Sequence, residues 1–84
     1  MAKEEIWGVS IDRARSFFQS QPDVSAESDD VYLFRTARIV LEELPASNIG
    51  IWSARRIRLR MEGPDAEVKE IHHRYFVQFL STGG

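Results

Sequence analysis

The chain has 84 residues, 43% of them hydrophobic and 11% aromatic, with no cysteine and a formal net charge of −2. That length fits one domain, and the aromatic content suits a packed core rather than a disordered segment. Disulfides, thiolate chemistry and cysteine-based zinc sites are excluded, and the acidic sum argues against a general nucleic-acid binder.

No stretch approaches the roughly 18 apolar residues that span a bilayer, and the N-terminal residues lack the long apolar run of a secretory signal. The reading is a single cytoplasmic domain over residues 1–84 with no membrane partner. Charge is unevenly spread. Residues 1–50 carry five basic and nine acidic side chains, and residues 51–84 carry six and four.

In chain order, residues 3–20 predict a helix, because Ile6, Trp7, Ile11, Ala14, Phe17 and Phe18 share one broad face at 100° per residue. An alternative is a short strand over residues 5–10 followed by a helix capped by Ser10. Pro22 ends the element either way. Residues 24–30 form an acidic loop. Residues 28–44 predict a second helix with Ser28 as N-cap, Asp29 and Asp30 in its first turn, and an apolar stripe of Leu33, Phe34, Ala37, Val40, Leu41 and Leu44. The Arg38–Glu42 spacing suits an i,i+4 pair, and Pro45 stops the run.

Residues 45–50 form a connection, and residues 51–62 are ambiguous. As a strand, Ile57, Leu59 and Met61 face one way while Arg56, Arg58 and Arg60 face the other; as a helix, the apolar residues scatter. Gly63-Pro64-Asp65 starts a helix over 64–80 whose core face is Val68, Ile71, His72, Tyr75, Phe76 and Phe79. A strand over 69–80, pairing with 51–61 as a hairpin, is its alternative. Residues 81–84 are a tail.

Catalytic constellations are not visible. The serines lack a nucleophile elbow, the glycines are dispersed or terminal, and the carboxylate pairs Glu4-Glu5, Asp29-Asp30 and Glu42-Glu43 fit caps and solvated faces. His72 and His73 are adjacent, a spacing that points them about 100° apart on a helix and does not suit a shared metal. No enzymatic activity, cofactor or metal is expected.

The one local concentration of charge is Arg55, Arg56, Arg58 and Arg60 beside Trp52. It reads as a solvated face, as a docking surface for another protein with an acidic surface, or as a phosphate-contacting stripe. The run Arg-Ile-Arg-Leu-Arg-Met followed by Gly-Pro-Asp-Ala-Glu-Val-Lys-Glu-Ile loosely resembles the strand and first helix of ribbon-helix-helix DNA-binding proteins. That resemblance covers roughly residues 55–75 and implies a strand paired between two subunits; the family's second helix has no counterpart among residues 76–84. Gly83-Gly84 resembles the tail of ubiquitin-like sulfur carriers, whose β-grasp fold the helical patterns do not support.

The expectation is therefore a mainly α domain of three to four helices, with an α+β arrangement built on a ribbon over 51–62 as the alternative. Its core would gather Trp7, Phe17, Phe18, Phe34, Leu41, Leu44, Tyr75, Phe76 and Phe79. Its function would be non-enzymatic protein binding or regulation through Trp52, Arg55, Arg56, Arg58 and Arg60, with nucleic-acid binding through the same arginines as the alternative. A homodimer would form by pairing residues 51–61 across a two-fold axis, burying Ile57, Leu59 and Met61.

Overall fold

Side-chain alternation organises more of this chain than helical periodicity does. The computed structural model describes residues 1–45, 47–49 and 52–81. Its elements are β1 (Ala2–Trp7), α1 (Ile11–Ser20), β2 (Val24–Ser28), β3 (Val31–Phe34), β4 (Ala37–Glu43), β5 (Ser47–Ile49), β6 (Trp52–Ala54), β7 (Ile57–Glu62) and α2 (Asp65–Ser81). Five strands form one antiparallel sheet in the order β1-β7-β4-β3-β2, and β5 pairs with β6 in a separate ribbon. The fold is α+β, and the mainly helical expectation is overturned.

The largest correction falls on residues 28–44, which are two strands and not a helix. Tyr32 and Phe34, then Ala37, Ile39 and Leu41, alternate inward and are buried, while Arg38 and Glu42 alternate outward and are exposed. Val-Tyr-Leu-Phe and Ile-Val-Leu are rich in β-branched and aromatic residues, which favour a pleated surface over a helix. Phe34 and Ala37 pair directly, so Arg35 and Thr36 make a two-residue turn, and Arg35 takes φ 57°. Arginine is an unusual residue for that backbone, and the turn therefore carries no glycine or asparagine signal. It is held instead by tertiary contacts. Thr36 donates from its backbone N–H and its hydroxyl to Glu67 Oε1 (3.0 and 2.7 Å), and the Arg35 guanidinium lies over the Phe34 ring at 4.7 Å.

At the N-terminus the single helix over 3–20 gives way to its alternative, a strand followed by a capped helix. The strand is β1, which lies three residues earlier than the expected 5–10, and α1 begins after Ser10, whose Oγ accepts from the Arg13 N–H at 3.3 Å. Residues 57–62 are a strand, as their alternation allows, while residues 65–81 are helical, so the hairpin between 51–61 and 69–80 does not form. Gly63 turns the chain from β7 into α2 with φ +146°, and a Cβ there would stand 2.8 Å from the Ala37 Cα.

Both helices cover the same side of the sheet. Ile11, Ala14, Phe17 and Phe18 of α1 and Val68, Ile71, Tyr75 and Phe79 of α2 pack on Tyr32, Phe34, Ile39, Leu41, Ile57, Leu59 and Met61. Tyr75 is the hub: its ring lies 4.5 Å from Phe79, 5.1 Å from Trp7 and 5.7 Å from Phe18. Of the expected core, Trp7 and Leu44 are only half-buried and Phe76 is exposed.

Candidate docking surface

The sheet's other side carries neither helix. The register builds it in rows running across the strands. Ile6, Arg58 and Glu42 form one row; Glu4, Arg60, Val40, Val31 and Ser28 form the next; Ala2, Glu62, Arg38, Leu33 and Ser25 form the third. Residues directly opposite one another in antiparallel strands share a face and lie close enough to interact. The arginine stripe thus becomes part of a two-dimensional charge pattern. Arg58 pairs with Glu42 at 2.8 Å and with Glu4 at 3.6 Å, Arg60 reaches the same Glu4 oxygen at 3.7 Å, and Arg38 reaches Glu27 at 3.5 Å. The i,i+4 pairing of Arg38 with Glu42 expected for a helix is replaced by these cross-strand pairs. Val31, Leu33 and Val40 lie half-buried beside the arginines, giving the face an apolar band.

The remaining predicted site residues precede β7 in the chain. Arg55 is exposed ahead of β7. Arg56 is half-buried; its carbonyl accepts from the Leu44 N–H at 3.0 Å, extending the β4–β7 ladder, and its Nε is buried with no hydrogen-bond partner among the described residues. Trp52 opens β6 opposite Ile49, and its side chain lies outside the described residues, as do Gly83 and Gly84. Arg58 and Arg60 are brought together with Arg38, a residue that sequence spacing assigned to a helix. The acidic partners Glu4 and Glu42 come from strands distant in sequence, so no local pattern could have found them.

β7 lies between β1 and β4 and both of its edges are used. Pairing of residues 51–61 across a two-fold axis is therefore overturned for β7, as is the intersubunit strand of the ribbon-helix-helix resemblance.

Polar side chains also gather under α2. Glu5 points to the helix-covered side, where its Oε1 accepts from Trp7 Nε1 (3.1 Å) and lies 2.7 Å from His72 Nε2. Burial pushes the Glu5 carboxyl up, but the hydrogen bonds from His72 and Trp7 outweigh it and leave the acid below its ordinary range. His73 is exposed. Among the described residues, no three His, Asp or Glu side chains converge on a point that could hold a metal, and no helix is long and apolar enough to cross a membrane. A cavity of about 430 Å³ opens between α1 and the end of α2 over Phe17 and Phe79, with Arg13 5.5 Å above the Phe79 ring. Asp12, Ser16, Ser20 and Gln21 also line it.

The chain matches no protein-family model, no curated protein and no solved structure.

Proposed function

We propose that this domain is a non-enzymatic, cytoplasmic protein-binding or regulatory module that docks through the helix-free face of its sheet. Arg58, Arg60 and Arg38 supply charge and Val31, Leu33 and Val40 supply apolar contact; Arg55, Arg56 and Trp52, which precede β7 in sequence, complete the proposed set. One observation supports the reading: among the described residues, both helices pack on one side of the sheet, and the other side carries an apolar band and no helix. Interface centres combine apolar area with arginine and aromatic side chains, and a charge pattern that is already paired selects partners by register more than by attraction.

The same pattern weighs against phosphate binding. Arg38, Arg58 and Arg60 each have a carboxylate within 4 Å, so a nucleic-acid backbone would compete with Glu4, Glu42 and Glu27 for every contact. A protein partner of mixed charge can exchange those pairs without leaving the glutamates unpaired.

The test is binding by purified partners recovered with the wild-type chain. Arg56/Arg58/Arg60→Ala, verified as folded by circular dichroism, should weaken binding by about tenfold or more, equivalent to about 1.4 kcal/mol. Arg13→Ala on the helical side should leave it unchanged. An unaltered Kd in the triple variant removes this face as the docking surface. Filter binding of random duplex and single-stranded nucleic acid at two salt concentrations decides the rival reading. A log–log salt slope near −0.9 per neutralised phosphate on duplex DNA, lost in the triple variant, would establish it.

A further inference from the structure

We propose that a second copy of this chain pairs with the free edge of β1, joining two sheets into one continuous ten-stranded sheet. β1 ends the strand order, so among the described residues one of its two edges has no strand neighbour. The hydrogen bonding fixes which groups that edge presents. Met1 and Gly63 exchange reciprocal backbone bonds, the Gly63 N–H donating to the Met1 carbonyl (3.0 Å) and the Met1 amine to the Gly63 carbonyl (2.9 Å). Antiparallel strands alternate, so Lys3, Glu5 and Trp7 aim their backbone groups at β7, while Ala2, Glu4 and Ile6 aim theirs at the open edge.

A two-fold axis through Glu4, perpendicular to the sheet, uses all of these outward groups. Glu4 pairs with its own copy, and Ala2 pairs with the partner's Ile6 in both directions. The same register sets Lys3 opposite the partner's Glu5 on the helix-covered side, at a closely spaced position where opposite charges stabilise the strand pair. Shifting by two residues either way puts Lys3 opposite Lys3 or Glu5 opposite Glu5. The like-charged Glu4 pair on the axis is tolerated because Arg58 and Arg60 flank each copy at 3.6 and 3.7 Å. Charged residues on an edge strand usually block pairing. Here they leave one register favourable.

The helix above β1 supplies apolar surface to the same seam. His72 contacts Glu5, and Phe76 meets Trp7 edge-on at 6.0 Å, so the α2 stripe of His72, Phe76 and Leu80 lies on the β1 side of the helix. Phe76 is 39% exposed and Leu80 61%. The two-fold operation brings two antiparallel α2 helices to the same side of the joined sheet, with these stripes facing across the seam. An isologous interface of this kind is self-complementary and closes as a dimer.

Because the chain has no cysteine, single cysteines report the register directly. Hydrogen-bonded antiparallel neighbours have Cα atoms about 5.5 Å apart, inside the disulfide range. Sedimentation equilibrium of the wild-type chain should show a dimer. Mild oxidation should cross-link Glu4→Cys at least about tenfold faster than Lys3→Cys or Ile6→Cys, whose copies lie apart in this register. Glu4→Pro should abolish the dimer and keep the fold, since the lost N–H faces the open edge and proline is accepted on strand edges. Should that variant fail to fold, Phe76→Glu provides the second disruption. A wild-type monomer at high micromolar concentration, cross-linking indifferent to position, or a dimer that survives Phe76→Glu would each overturn the proposal.

Discussion

The two faces of the sheet are built from the same strands and differ in almost every physical respect. On the covered face, alternate residues of β3, β4 and β7 are apolar and packed against ring-on-ring contacts centred on Tyr75 and Phe18. On the open face, the intervening residues of these strands are arginine, glutamate, valine and leucine, and the ion pairs between them stay in solvent. Burial is therefore concentrated on one side, and the other can vary in chemistry at smaller cost to the fold. The comparison teaches where stability and recognition reside: the first with the helices, the second opposite them.

The largest effect expected from breaking this division is on the covered face. Phe18→Ala should cost about 3–5 kcal/mol in urea or thermal unfolding, whereas Val40→Ala on the open face should cost under about 1 kcal/mol. Equal losses would erase the distinction. Gly63→Ala comes next, at about 2 kcal/mol or more, because it adds a side chain at φ +146° and drives a Cβ against Ala37. Tyr75→Phe sharpens the comparison with the opposite sign. The Tyr75 hydroxyl is buried with no hydrogen-bond partner among the described residues, and burial, followed by the negative charge of Glu5, holds its pKa above the ordinary phenol range. Removing it should raise stability by up to about 1 kcal/mol, and a clear loss would mean that the hydroxyl is satisfied in solution. The open-face pair should matter least. A double-mutant cycle on Arg58→Ala and Glu42→Ala should give a coupling below about 1 kcal/mol that shrinks with added salt.

Acid should act on the helical side. The Arg15 hydrogen bond holds the Asp30 carboxyl below its ordinary range, and the Arg74 hydrogen bond does the same for Asp23. Groups whose pKa is lower folded than unfolded stabilise the fold above the unfolded value. Their contribution fades as pH falls through about 4 and below. The Tm should fall with acidification over that range, and Asp30→Asn should flatten the decline. A Tm independent of pH there would remove the Arg15–Asp30 contribution.

Legibility in the sequence followed how local the signals were. α2 was readable because Gly63, Pro64 and the first-turn acids Asp65 and Glu67 coincide with a 3.6-residue stripe. Ser10 marked α1 correctly once β1 was allowed as its own element. Residues 31–44 misled because Phe34, Ala37 and Leu41 satisfy both periods, and the Arg35–Thr36 turn lacks the residues that usually announce a hairpin. The arginines were visible, while their acidic partners were not: Glu4 and Glu42 meet Arg58 through a register that only the assembled sheet defines. The open edge of β1 was equally hidden, since strand order is a property of the whole chain.

That strand order also governs how the protein must fold. The hairpins β2–β3 and β3–β4 close over short turns, and β4 meets β7 through the intervening ribbon. β1 joins β7 by pairs running from Ala2–Glu62 to Trp7–Ile57, which span most of the chain. The entropy of closing so long a loop falls on β1, and its docking belongs late on the folding path. Until then β7 carries a bare edge of its own, matching the one that β1 presents, and a β1 strand arriving from another molecule satisfies it as well as the native one does. Slow docking of the first strand therefore makes strand exchange between chains the characteristic hazard of this topology during refolding at high concentration.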